Sequence, residues 1–173
     1  MLYTALVRVL GIDCGSALTG FGVVESKDGR ELTCVACGAI RLSSADRLPL
    51  RLAHIYRELS HVIATHRPEV VAIEDIFHAV NAKSALKLGH VRGVAMLAAS
   101  AAGLEVAEYA PLAIKSAVVG YGKAEKSQVQ QMVTRLLGVD LASEPADVAD
   151  ALAIAVCHLH TAGTLSRQLR KKA

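Results

Sequence analysis

The sequence predicts an α/β fold: a five-stranded mixed sheet, built from a three-stranded antiparallel meander plus two parallel strands and flanked by helices. Three observations lead there. Short apolar runs joined by polar turns fill the first quarter of the chain, helical periodicity then alternates with further apolar runs, and the last third reads as helix throughout. With 173 residues, 53% of them hydrophobic and 20% charged, the chain has enough apolar material for one folded domain.

Val7 to Asp13 reads as a buried strand and Gly20 to Ser26 as a second. Asp28-Gly29 is a hairpin turn signal leading to a third, Leu32 to Leu42. From Leu48 to Ala64 the apolar residues Leu48, Leu52, Ile55, Leu59, Val62 and Ile63 share one helical face, and Pro68 closes the helix. Val70 to Ile73 is a fully apolar fourth strand, parallel to the first because a helix intervenes. Asn81 caps a long helix running from Ala82 to about Ala102 and ended by Gly103. That helix is apolar nearly all round, so one side faces the sheet and the other a second subunit, with Ala95 or Ala98 as the outward small position. Glu105 to Tyr109 is the fifth strand. Helices follow at Ala113–Val119, Lys126–Leu137 and Ala146–Ala162, and Gly163 to Ala173 is a basic, flexible tail.

Charge narrows the function classes. The net charge is +3, but the tail contributes Arg167, Arg170, Lys171 and Lys172 with no acid, leaving −1 for residues 1–162. A uniformly basic, histone-like binder is excluded. A local basic surface is not, because residues 81–135 hold Lys83, Lys87, Arg92, Lys115, Lys123, Lys126 and Arg135 against Glu105, Glu108 and Glu125. The longest apolar run, Gly93 to Leu104, is too short to span a bilayer, and the N-terminus does not read as a signal peptide. Four cysteines without a framework spacing suit a reducing compartment, so a cytoplasmic protein is expected. Cys34 and Cys37 lie three apart in the third strand, which places them on opposite faces and argues against a shared metal. His158 and His160 point different ways from the last helix and read as ordinary helix histidines.

The chemistry is expected from carboxylates. Asp13 ends the first strand and Glu74 follows the fourth, so parallel neighbours bring both acids to one sheet edge. Asp147 and Asp150 share one face of an apolar helix. Four carboxylates in one small volume repel unless cations lie between them, and hard oxygen donors favour Mg²⁺ or Mn²⁺. Such a set can hold two ions about 4 Å apart, the arrangement used for displacement at phosphorus. Each acid also has a plainer reading, the strand-end Asp as a turn cap and the helix pair as a solvated face. The strand, Asp and Gly of 12–15 further suit the phosphate site of actin-like ATPases, but those need a second domain that 173 residues do not supply.

The segments Leu10–Gly22, Ala72–Phe77, Asn81–Gly89, Val118–Val129 and Ala146–Ala153, in this order, resemble the RuvC family of bacterial Holliday-junction resolvases, across about Val9 to His160. The resemblance implies an RNase H-like fold and an endodeoxyribonuclease that resolves four-way DNA junctions by paired symmetric nicks, leaving ligatable 5′-phosphate and 3′-hydroxyl ends. It implies Asp13, Glu74, Asp147 and Asp150 as catalytic ligands of two Mg²⁺, with Lys115 and Lys126 serving the same site. Read from residues alone, each lysine is a solvated helix cation. It also implies Phe77, Asn81, Lys83, Lys87 and Lys123 on the DNA, Phe77 stacking on bases at the crossover where its plainer reading is a core plug. A homodimer, a thymine-containing sequence preference and cooperation with the RuvAB branch-migration complex belong to the same implication. Many members have Pro where this chain has Cys14, which implies a looser or redox-sensitive turn beside Asp13. The competing functions are an RNase H-like nuclease for another nucleic acid, such as a ribosomal RNA precursor, and a junction-binding protein without catalysis.

Overall fold

The computed structural model describes residues 6–27, 31–75 and 81–172. Its sheet has five strands in the order β3-β2-β1-β4-β5. These are β1 (Leu6–Asp13), β2 (Leu18–Lys27), β3 (Glu31–Arg41), β4 (Val70–Glu74) and β5 (Glu105–Tyr109). β1, β2 and β3 form the antiparallel meander, while β4 lies parallel to β1 and β5 parallel to β4. The Asp28-Gly29 turn and Phe77 lie outside the described residues.

The helices divide between the two faces. On one, α1 (Leu48–His66) and α2 (Ala82–Ala101) cover Leu10, Ile12, Val23, Val71 and Ile73. On the other, α3 (Pro111–Val119), α4 (Lys126–Leu137) and α5 (Ala146–Lys172) cover Val9, Val24 and Ala72. A β-strand alternates its side chains, so β1 sends Leu10 and Ile12 one way and Val9 the other, and each face receives its own core. α1 ends where Arg67 takes a left-handed conformation before Pro68, its N–H donating to the Ile63 carbonyl. Asn81 caps α2 by accepting from the Ser84 N–H at 2.9 Å.

Three expectations change. Cys34 and Cys37 share a face, because the β2–β3 register slips between Val23 and Val24 and leaves Val35 as an extra, unpaired residue. Ala95 and Ala98 of α2 are buried, so neither is the outward position; Leu86 and Leu97 are, at 64% and 58% exposure. Their row shows only once the helix is phased against α1 and the sheet, since its apolar residues mark no single stripe. α5 runs through Gly163 to Lys172, further than the Ala146–Ala162 helix read from the sequence. Leu, Arg, Gln and Lys beyond that glycine are good helix formers, and the basic residues lie at the end of the helix dipole that favours them. His158 and His160 do diverge: the Tyr109 hydroxyl meets His158 Nδ1 at 2.9 Å, and His160 Nδ1 lies 2.8 Å from the Ala117 carbonyl oxygen.

The contact that positions the site is that of α5 on β1 and β2. Its backbone lies directly on two glycines. A Cβ at Gly11 would overlap the Ala151 carbonyl oxygen, and one at Gly20 would overlap that of Asp147. No side chain other than hydrogen lets a helix approach a sheet this closely, and the obstacle is backbone that cannot rotate away. Gly20→Ala should therefore cost about 3 kcal/mol of stability, the upper part of the overpacking range, with a clear fall in urea midpoint. A variant as stable as the native protein would show that α5 lifts freely and that this contact sets nothing.

Candidate active site

Asp13 and Glu74 end neighbouring parallel strands. The β1–β4 register pairs Ile12 with Ile73, so the two acids leave the sheet side by side. Asp147 stands in the first turn of α5 and Asp150 one turn on. The Gly20 contact sets that first turn against the start of β2, and Gly20 is itself the register partner of Asp13.

Asp13, Glu74 and Asp150 line a cleft of about 270 Å³ together with Lys115, Lys126, Pro111, Ile114 and Val129. Asp147 does not line it; its Oδ1 lies 3.8 Å from the Cβ position of Gly15, towards the β1–β2 turn. A larger groove of about 430 Å³ runs between α1 and β3, lined by His54, His61 and His66, but it contains only one carboxylate, Glu58. The acids of the smaller cleft are what give it chemistry.

Their electrostatics are strongly coupled. Burial, then Asp150, Asp147 and Glu74 in that order, push the Asp13 carboxyl up to about 7, and Lys126 opposes them. The Glu74 carboxyl is raised by burial and by Asp150, while Lys126 and Lys115 pull it back. Lys126 Nζ lies 2.5 Å from Asp150 Oδ2, and this hydrogen bond raises the lysine pKa and holds its charge. Lys126 is placed by the start of α4, where the Glu125 N–H donates to Gln128 Oε1 at 2.9 Å. Among the described residues, no three Asp, Glu, His or Cys side chains converge closely enough to share one ion. The donors are nevertheless all carboxylate oxygens, and mutual repulsion raises Asp13, so a hard divalent cation fits this set and would relieve it.

The remaining expected residues do not line the cleft. Lys83 and Lys87 are exposed on the first turns of α2, and Lys123 is exposed just before α4. The Asn81 side chain serves as the α2 cap. Cys14 is partly buried beside Asp13; burial first and the Asp13 charge second push its thiol up to about 12. Sequence reasoning missed one residue. Arg92 of α2 donates from Nε to the Glu74 carbonyl at 3.4 Å and pairs with Asp75 and Glu108, bracing the strand end that carries Glu74. An arginine in an apolar helix, spaced to reach a strand end, was the available signal.

The raised Asp13 pKa has a definite sign. The native state keeps a proton between about pH 4 and 7 that the unfolded chain has lost, so stability falls as pH rises through that window. In chelator, Asp13→Asn should match the native protein near pH 4 and exceed it by on the order of 2 kcal/mol at pH 8. Melting both across pH checks this, and a pH-independent difference would contradict the coupling.

Residues 9–158 match the family model described as crossover junction endodeoxyribonuclease RuvC. A protein of that name from Koribacter versatilis is 68% identical over 165 residues, covering 95% of this chain and 99% of the relative. One from Acidobacterium capsulatum is 56% identical, covering 94% and 98%. Among solved structures, Thermus thermophilus RuvC in complex with a Holliday junction substrate superposes with a TM-score of 0.86 at 34% identity, over 91% of this chain and 96% of that one. The yeast mitochondrial Holliday junction resolvase shares the fold, with a TM-score of 0.66 at 17% identity.

Proposed function

Because the chain belongs to the RuvC family of crossover junction endodeoxyribonucleases, we propose that Asp13, Glu74, Asp147 and Asp150 are the catalytic acids with which it cuts Holliday junctions. The observation that carries this is the Asp13 carboxyl, raised to about 7 by burial and by three other acids that meet it from one strand and one helix. A pair of divalent cations, Mg²⁺ with Mn²⁺ as a substitute, would be held by these carboxylates, and when bound supplies an activated water and charge neutralisation at phosphorus.

The chain's own groups account for the rest. Attack on phosphorus in line with the 3′ oxygen breaks the P–O3′ bond and leaves a 5′-phosphate and a 3′-hydroxyl, which can be religated. Lys126 and Lys115 border the same cleft, so their ammonium groups face the phosphate and stabilise charge that grows on it. Exposed Lys83, Lys87 and Lys123, with Asn81, are our candidate DNA contacts, as is Phe77, which lies outside the described residues. RuvAB is the motor expected to deliver the junction.

Asp13→Asn, Glu74→Gln and Asp150→Asn should each abolish cleavage of a labelled four-way junction in Mg²⁺ while junction binding persists. Asp147→Asn should be milder, because its carboxylate stands outside the cleft. Lys126→Ala should lower the cleavage rate more than the affinity. Binding lost in step with cutting would mean that the acids hold the fold or the DNA and do not perform the chemistry. Duplex and RNA substrates in the same assay separate this reading from a nuclease for another nucleic acid.

Two cuts placed symmetrically require two active sites, and α2 offers the means. Leu86, Gly89, His90, Gly93 and Leu97 make an exposed row along it, and nothing lies within 4 Å of a Cβ placed at either glycine. A row of leucines and glycines lets a second helix approach closely, as a second copy of this chain would. Leu97→Glu or Leu86→Glu should shift the protein to a monomer in sedimentation at micromolar concentration. A native protein that sediments as a monomer would remove the dimer from the scheme.

A further inference from the structure

β3 is interrupted at Val35. Ala36 is paired with Val23 and Cys34 with Val24, so two residues of β2 face three of β3. The extra residue reverses the alternation downstream of it. Cys34 and Cys37, on opposite faces of a regular strand, thus point the same way, both packed at the border of the core under α5. They behave as next neighbours on one strand face. Both are partly exposed, on the strand that closes one edge of the sheet.

The two side chains are neighbours on that face, and a hydrogen bond from the Cys34 thiol towards Cys37 shifts the pKa of both. Accepting that bond pulls the Cys37 pKa down to about 7, although partial burial and Glu144 act against it. The same bond, together with burial, raises Cys34 and keeps it a thiol. The other two cysteines contrast with this pair, since burial pushes Cys14 up to about 12 and Cys157 up to about 11. A partly exposed thiolate beside a second thiol is the arrangement in which oxidation stops at a disulfide.

We propose that Cys34 and Cys37 form a redox-active dithiol, Cys37 the attacking and Cys34 the resolving sulfur, which a peroxide converts reversibly to a disulfide across the bulge. The Cys37 thiolate attacks one peroxide oxygen, the O–O bond breaks, hydroxide leaves and Cys37 becomes a sulfenic acid. The Cys34 sulfur then attacks the Cys37 sulfur. The S–O bond breaks, and the departing hydroxide takes the Cys34 proton as water. Two thiols give up two electrons and two protons, and hydrogen peroxide is reduced to two waters. Neighbours on one strand face stand about 6.8 Å apart at Cα, the outer limit of ordinary disulfide spacing. The bulge must bend to close the bond, so the disulfide is strained and easily reduced.

The test treats the full-length protein with hydrogen peroxide at pH 7.5 and follows thiol content and intact mass, with about one equivalent of oxidant so that over-oxidation stays low. Two of the four thiols should disappear. The mass should fall by two hydrogens, dithiothreitol should restore both, and peptide mapping should join Cys34 to Cys37. Cys34→Ser should instead accumulate a sulfenic acid at Cys37 that dimedone captures. Cys37→Ser should slow the first oxidation by about tenfold or more, since the remaining thiols are protonated. Oxygen gained at Cys37 in the native chain without loss of hydrogens, first labelling at Cys34, Cys14 or Cys157, or disulfides between chains would each overturn the proposal.

Discussion

The site depends on how closely one helix approaches the sheet. α5 rests backbone to backbone on Gly11 of β1 and Gly20 of β2. Asp147, whose carbonyl meets Gly20, and Asp150 one turn later are carried into reach of Asp13 by that approach alone. With alanine in place of the glycines the helix would stand further off, and the acids of α5 would lose the closeness that raises Asp13. Packing therefore maintains the electrostatic tension of the site, and the buried run from Ala151 to Cys157 provides the apolar area that holds the helix down.

That tension is partly offset by the fold itself. Asp147 occupies the first turn of α5, where the unpaired N–H groups of a helix favour negative charge. Lys126 reaches Asp150 from the start of α4, and Lys115 enters the cleft from α3. Three helices on one face of the sheet thus each contribute a charged group, while the two strands contribute Asp13 and Glu74. The lysines do not cancel the acids, since Asp13 remains raised. An uncompensated negative cluster is the condition under which a divalent cation binds and a phosphodiester can then approach.

Most of the strand layout was legible in the sequence, because strands that end in Asp13 and Glu74 and alternate with capped helices leave few arrangements. Asp13 and Glu74 could be singled out as candidates because carboxylates at the ends of apolar strands are costly unless used. What stayed hidden depends on phase and register. The bulge at Val35 follows no composition signal, since Val is an ordinary strand residue, yet it moves Cys37 to the other face. The outward row of α2 escaped because the helix is apolar on several sides, and only its docking against α1 and β5 buries Ala95 and Ala98 and frees Leu86 and Leu97. The glycines of β1 and β2 read as weak strand residues in the sequence, whereas in the fold they are the points of closest contact.

The two faces of the sheet meet at Glu74. Its carboxyl enters the cleft under α3, α4 and α5, but its backbone carbonyl accepts from Arg92 of α2 on the opposite side. Arg92 is mostly buried and also pairs with Asp75, the next residue, and with Glu108 of β5. One guanidinium thus ties the ends of two parallel strands to α2, and the planar fork of arginine suits such a multiple contact better than a lysine. The helix whose outer row we assign to the second subunit is therefore the helix that fixes the strand end bearing Glu74. Movement of α2 would reach Glu74 through Arg92 without passing through the apolar core. The register of Glu74 against Asp13 accordingly rests on β1 through the ladder and on α2 through a single side chain.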